Sequence, residues 1–470
     1  MPLSQVNTRV AQLTLAALVI LTPLVGRSQE RASDRRRYLS PSQTTTDDPR
    51  RVPIPSGPRG PDGTIVLRGG RIFDGTGNPA RAGTVIVSRN KIDRVLPPGS
   101  TDWPKDAKVL DVTGMTVMPG LIDMHTHLTY VDPPTKTAVA SEDPEVTLRA
   151  VERLRYFIES GITSVKDVSS DGDVTFRLKD WVSENRIIGP RVFPVGQLIT
   201  SLGGHGAEGE SDLVKGRAVR VAAGPIEWRV AVRDMFNRGA DAIKVASHFS
   251  KDEIRAAVEE AHALGLKVTC DCETFYIQWA VEAGVDMIEH PLPRTDETIA
   301  LMAQKGVEAD PTVYIYTILF ANSGGGYFGS TSRRFMFNDS LNFGVMQRMK
   351  RAGVKMGVGT DLVVDWFRYL PAPYINELKY LVQAGYSVPE ALVAATKTNA
   401  QMLDMDDKLG TLEPGKLADV LVVNGRPDEN LDDLAKVHTV IRDGWIVVQN
   451  GQLFVAPHVP RPAPAIWKPK

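Results

Sequence analysis

The chain has 470 residues, 42% of them hydrophobic, and carries 55 basic against 56 acidic side chains for a formal net charge of -1. That length and apolar content can bury a full core and leave room for about three domains, which excludes disorder, collagen-like repeats and small disulfide scaffolds. The balanced charge provides no basic field for a phosphate backbone, so no nucleic-acid partner is expected.

The first residues have the layout of a secretory signal: Arg9, an apolar run from Leu13 to Leu21 broken by one Thr, then Pro23 and small residues through Ser28. Residues 1–28 are therefore expected to be a signal peptide and the protein secreted or periplasmic, with no stable membrane association after cleavage. The run is too short for a comfortable membrane span. Residues 29–63, rich in Arg, Ser, Thr, Asp and Pro, predict a disordered linker.

Residues 64–117 and 406–457 read as short alternating strands joined by Gly and Asp turns. Neither stretch is long enough for a comfortable sandwich, so the two ends are expected to combine into one composite β-sandwich domain.

Between them, residues 118–405 carry a weak repeat in which an amphipathic helix ends on Gly and an apolar strand follows at once. Its copies are ESGITSVKD, NRGADAIKV, ALGLKVTCD, EAGVDMIEH, QKGVEADPT and RAGVKMGVGTD. Gly161, Gly239, Gly265, Gly284, Gly306 and Gly353 occupy the left-handed C-cap position, and each strand ends in a polar residue. Alternating helices and apolar strands imply a parallel sheet covered on both faces. Six units plus the segments at His125 and Arg191–Gly196 make eight strands, so the fold class is α/β, a (β/α)8 barrel with its site at the C-terminal strand ends.

In GLIDMHTHL, His125 and His127 alternate across Thr126 and point to one side of a strand, where they can hold one divalent cation. His290 and Asp361 end the sixth and eighth strands and should converge on the same axis. Lys244 should face the barrel interior, where an unpaired ammonium is costly. Either its pKa falls until the neutral amine captures carbon dioxide as a carbamate that bridges two cations, or it pairs with Asp167 or Asp271.

GLIDMHTHL, GITSVKD, GADAIKV, GVDMIEHP, GVGTD and GTLEPGKLADVLVV resemble the amidohydrolase superfamily, in particular its imidazolonepropionase-like and dipeptidase branch, over residues 64–456. The resemblance implies a binuclear metal centre at the mouth of a TIM barrel. By position, His125, His127, Lys244, His290 and Asp361 match metal-site residues. One departure matters: the fifth strand reads Val268-Thr269-Cys270-Asp271-Cys272-Glu273, with Asp271 where the family carries a metal-binding His. Asp271 can ligate through oxygen and suits harder ions such as manganese. Strand alternation sends Cys270 and Cys272 toward the helices; they are expected to be reduced packing residues, too far apart for unstrained disulfide geometry. GGHG, Gly203 to Gly206, resembles a loop of the same branch, so His205 is expected to bind substrate, with Tyr314 as a second contact. His248 is a weaker candidate; His262, His438 and His458 read as structural.

The expected reaction is hydrolysis of an amide in a dipeptide or N-acyl amino acid by metal-activated water, with Asp361 as general base and acid. The expected cofactor is two zinc ions, or manganese, bridged by carboxylated Lys244. The partners are a small-molecule or peptide substrate and further copies of the chain in a homo-oligomer. Two other readings stay open: a mononuclear deaminase or lactonase, and an impaired binding protein whose centre is broken at Asp271.

Overall fold

The structure, a computed structural model, describes residues 60–130, 143–207, 218–317 and 339–454. The expected signal segment, the linker up to residue 59, His458 and the end of the chain lie outside them.

Strands from both chain ends share one sheet. Its N-terminal members are β1 (Thr64–Ile72), β2 (Arg81–Ser88), β3 (Lys91–Leu96), β4 (Lys108–Asp111) and β5 (Thr116–Pro119). After the parallel strands described below come β15 (Val420–Val423), β16 (Val437–Arg442), β17 (Trp445–Gln449) and β18 (Gln452–Leu453). The order is β18-β17-β16-β15-β5-β1-β2-β3, with β4 also on β1. The seam between the two chain ends is antiparallel, Val420 opposite Pro119 and Val423 opposite Thr116. Leu67, Val85, Val117, Val420, Val422 and Ile441 are buried in one apolar cluster there, so neither end could hide its own apolar face without the other.

The repeat region forms β6 (Leu121–Thr126), β7 (Ile162–Asp167), β8 (Arg191–Pro194), β9 (Leu198–Thr200), β10 (Val219–Val221), β11 (Ala242–Ala246), β12 (Lys267–Asp271), β13 (Met287–Glu289) and β14 (Glu308–Asp310). They pair in parallel as β6-β7-β8 and as β10-β9-β11-β12-β13-β14. The third predicted strand is split. Its first half, β8, pairs with β7 and its second, β9, with β11; Pro194 has no N–H and Gly196 has φ 76°, so the ladder breaks between them. The eighth position is an extended segment bridged to its neighbours at Met356–Ala309 and Leu362–Thr126. Buried Asn399 ties that segment to the first strand: Nδ2 donates to Ile122 O at 2.7 Å and Val358 O at 2.9 Å, and Oδ1 accepts from Val358 N at 3.0 Å.

Helices cover these strands in alternation, among them α1 (Asp143–Glu159), α2 (Val174–Ser183), α3 (Gly224–Arg238), α4 (Lys251–Ala263), α5 (Phe275–Ala283), α6 (Asp296–Lys305), α7 (Asp339–Ala352) and α8 (Ala372–Gln383). The six predicted helix-end glycines all have φ between 66° and 101°. At α4 a capping box is complete, with Ser250 accepting from Glu253 N and the Glu253 side chain accepting from Ser250 N; such a cap contributes about 1 kcal/mol. Ile254, Ala257, Val258 and Ala261 of that helix are buried, so cap and apolar stripe together seat it on the strands.

Candidate metal centre and active site

Every strand end predicted to carry chemistry faces one buried cluster. β6 turns His125 and His127 inward, and the backbone of the eighth segment closes on it, Asp361 N donating to His125 O at 2.7 Å. Asp123, which sequence reasoning did not single out, clamps this junction by accepting from His125 N at 3.0 Å, Thr360 N at 3.0 Å and Thr360 Oγ1 at 2.7 Å. Asp361 and His290 have φ of 51° and 66°, a left-handed conformation that costs a non-glycine residue energy and concentrates at functional positions.

Asp361 Oδ1 lies 3.3 Å from His125 Nε2 and 3.1 Å from His127 Nε2. Burial pushes the His127 imidazole down to about 4, so it is neutral at ordinary pH, the state a ligand requires. Burial and Lys244 push His125 down as well, but Glu289, Asp361 and Asp310 outweigh them and raise it to about 10. A cation would take the place of that proton. His127 is oriented by the ring of Tyr130, stacked at 4.3 Å, whose hydroxyl donates to Ser169 Oγ at 2.9 Å.

A second group sits beside the first. Asp271 Oδ2 lies 3.3 Å from His290 Nε2 and 3.3 Å from His205 Nε2, so Asp271 does face the cluster. The His290 imidazole is lowered by burial, and its Nδ1 is 2.7 Å from Thr312 Oγ1, which fixes the ring. His125, His127 and Asp361, and also His125, Glu289 and His290, bring donor atoms within 4.8 Å of one another. Buried imidazole and carboxylate donors that face one another at this spacing fit a zinc- or manganese-type divalent cation.

Three expectations need correcting. Lys244 does not have a lowered pKa: burial pushes its ammonium down, but Glu289, Asp271 and Asp361 push it further up. Its main partner is Glu289 Oε2 at 2.8 Å, with Asp271 Oδ2 at 3.6 Å, while Asp167 instead accepts from Leu128 N at 2.7 Å. Glu289 escaped notice because strand alternation should turn it away from His290; the strand ends at Glu289, and the left-handed backbone of His290 brings both side chains inward. Tyr314, expected as a substrate contact, has its ring 6.3 Å from Tyr380 of α8, and Tyr316 lies 5.2 Å from the His290 ring. Residues 313–317 are helical, so side chains two apart diverge. Cys270 and Cys272 are joined in a disulfide, with Cα atoms 5.3 Å apart. β12 ends at Asp271, so Cys272 is released from the extended geometry that would have kept the pair too far apart.

The remaining histidines among the described residues fall outside the cluster. His248 pairs with Glu273 Oε1 at 3.0 Å and packs 5.0 Å from the Tyr276 ring. His262 is a buried structural partner of Asp286 at 2.8 Å, and His438 sits against Thr439 Oγ1 at 2.9 Å.

The sequence profile of the amidohydrolase family matches residues 116–447. Among curated proteins the chain is 26% identical over 437 residues to an ochratoxinase of Aspergillus niger, covering 84% of this chain and 87% of that protein. It is 25% identical over 425 residues to an imidazolonepropionase of Symbiobacterium thermophilum, covering 84% and 92%. A crystal structure of a prolidase complexed with N-methylphosphonate-L-proline superposes with a TM-score of 0.74 at 28% identity, covering 82% of this chain and all of that one.

Proposed function

The chain belongs to the amidohydrolase family of carbon–nitrogen hydrolases, and from that premise we propose that it cleaves the amide of a dipeptide or an N-acyl amino acid. The observation that carries this reading is the donor group His125, His127 and Asp361, with 3.1 and 3.3 Å around Asp361 Oδ1. Two donors each about 2.0–2.1 Å from a tetrahedral cation lie about 3.3 Å apart, whereas a charge-assisted hydrogen bond is about 2.7–2.9 Å. The likeness to a prolidase that holds a proline phosphonate supports a substrate of dipeptide size.

His125, His127, Lys244, Asp271, His290 and Asp361 would hold zinc or manganese. Divalent cations bound there supply an acidified water and a polarised substrate carbonyl. Asp361 accepts the proton of the attacking water and returns it to the leaving amine, since Oδ1 faces the imidazoles of His125 and His127 and Oδ2 stands 3.9 Å from His290 Nδ1. Lys244 as carbamate would bridge two cations. The ammonium first gives up a proton, the amine adds to carbon dioxide and a second proton leaves; Glu289 then keeps Lys166, 3.6 Å away, as its counter-charge.

The Lys244–Glu289 pair favours one second reading, a mononuclear deaminase or lactonase in which Lys244 stays an ammonium. Hydrolysis of a panel of dipeptides, N-acyl amino acids, lactones and aminated heterocycles by metal-loaded protein separates the two.

The consecutive strand pairings support closure into an eightfold barrel, and the shared terminal sheet supports a composite β-sandwich over residues 64–117 and 406–457. The signal-like residues 1–28 support a secreted or periplasmic enzyme, and among the described residues no helix is long and apolar enough to cross a membrane.

A further inference from the structure

We infer that Asp310 is a positioning residue for the first donor group: its carboxylate keeps the proton of the His125 imidazole on Nδ1 and so leaves Nε2 free to bind a cation beside His127 and Asp361. This rests on the metal-dependent reading above. Asp310 is the last residue of β14 and is fully buried. Backbone bonds on both sides fix its place: Asp310 O accepts from His290 N at 2.8 Å, while Ala309 N donates to Lys355 O and Gly357 N to Ala309 O, each at 2.9 Å. The carboxylate packs against Gly359, where a Cβ would stand 2.5 and 2.7 Å from its two oxygens and 2.7 Å from His125 Cβ. The bare backbone at that position is what lets Asp310 and His125 share the space.

Three observations assign the role. Both carboxylate oxygens of Asp310 and Nδ1 of His125 are buried and make no hydrogen bond among the described residues, yet Oδ2 faces Nδ1 at 3.7 Å. A buried polar group left without a partner costs free energy, so an orphaned acceptor set against an orphaned ring nitrogen calls for an explanation. The opposite nitrogen, Nε2, points the other way, 3.3 Å from Asp361 Oδ1. A neutral imidazole carries one N–H, and the group facing its second nitrogen decides which nitrogen is left for a metal. At 3.7 Å the contact is electrostatic rather than a hydrogen bond, and in a buried site of low dielectric that field favours the Nδ1–H form. Glu289 Oε2 also stands 3.8 Å from Nδ1. That carboxylate is already engaged, Oε2 by Lys244 Nζ at 2.8 Å and Oε1 by Thr269 Oγ1 at 2.9 Å, which leaves Asp310 as the uncommitted charge on the Nδ1 side.

The test has two readouts on full-length protein. Metal-stripped wild type, Asp310→Asn and Asp310→Ala are titrated with cobalt(II), followed by calorimetry and by the visible absorption of bound cobalt. Long-range nitrogen–proton correlation spectra of the histidine rings are recorded on the zinc-loaded wild type, with His125 identified by the signals that His125→Gln loses. The expected result is His125 protonated at Nδ1 with zinc on Nε2, and a loss of at least about tenfold in cobalt affinity in both variants, with an altered absorption band. Equal affinity and an unchanged band in both variants would overturn the inference, as would zinc on Nδ1, the nitrogen that also faces Glu289. Either result leaves metal-dependent hydrolysis standing. The wild-type spectrum decides the matter even where a variant fails to fold, and a wild type that binds neither cobalt nor zinc would overturn both readings.

Discussion

Glu289 Oε2 lies 2.8 Å from Lys244 Nζ in the floor of the metal cluster, and its other oxygen accepts from Thr269 Oγ1 at 2.9 Å and faces Lys166 Nζ at 3.6 Å. This buried carboxylate stands against two buried lysines, and Lys244 has Asp271 Oδ2 as a further partner at 3.6 Å. Glu289→Gln removes the nearest negative charge to both and should destabilise the fold by about 3–5 kcal/mol, as breaking a buried ion pair does. Urea unfolding checks this, and a loss below about 1 kcal/mol would show that the lysines find compensation elsewhere.

Lys244→Ala should abolish turnover in a carbamate-bridged enzyme, with partial rescue by short carboxylic acids that replace the carbamate. Steady-state rates with and without added acetate or propionate are the readout. Full activity in the variant would sink the bridging role.

Asp271→His should tighten the second cation, because it restores an imidazole where the family carries one. Competition against a chromophoric chelator measures the change. Unaltered affinity would remove Asp271 from the ligand set.

Gly359→Ala should impair the cluster from below. A Cβ there would stand 2.5 and 2.7 Å from the Asp310 carboxylate oxygens and 2.7 Å from His125 Cβ, so either Asp310 or the first-strand histidine must shift. Displacements of this order cost about 100-fold in rate. Kinetics with bound-metal analysis would detect it, and wild-type behaviour in both would mean the strands yield without moving His125.

Acid sensitivity has a source remote from the cluster. Burial alone would push Asp286 up, but the His262 hydrogen bond and the charges of His262 and Lys267, with the Val268 N–H, hold it below its ordinary 3.8. A carboxylate depressed in the folded state contributes stability above its unfolded pKa and loses it as pH falls through the folded value. Wild type should therefore lose this contribution below about pH 4, and Asp286→Asn, less stable at pH 7, should show a shallower acid limb in urea unfolding. Parallel limbs would exclude the pair as a source of acid lability.

The architecture was legible where one residue type has one use. Glycines at helix ends and polar residues at strand ends located the repeat, and the His125-Thr126-His127 alternation located the first donors. Features set by long-range closure were hidden. Asn399 and Asp123 lock the eighth segment to the first strand through contacts hundreds of residues apart in sequence, and Glu289 enters the cluster only because His290 leaves strand geometry. The pairing of Cys270 with Cys272 was missed for the related reason that β12 stops between them.

The most direct test of the central claim is metal stoichiometry per chain after loading the protein with zinc, then manganese, in bicarbonate. Two cations per chain are expected from the donor groups at Asp361 and Asp271. One would contradict the bridged centre in favour of the mononuclear enzyme, and none would contradict metal-dependent hydrolysis altogether.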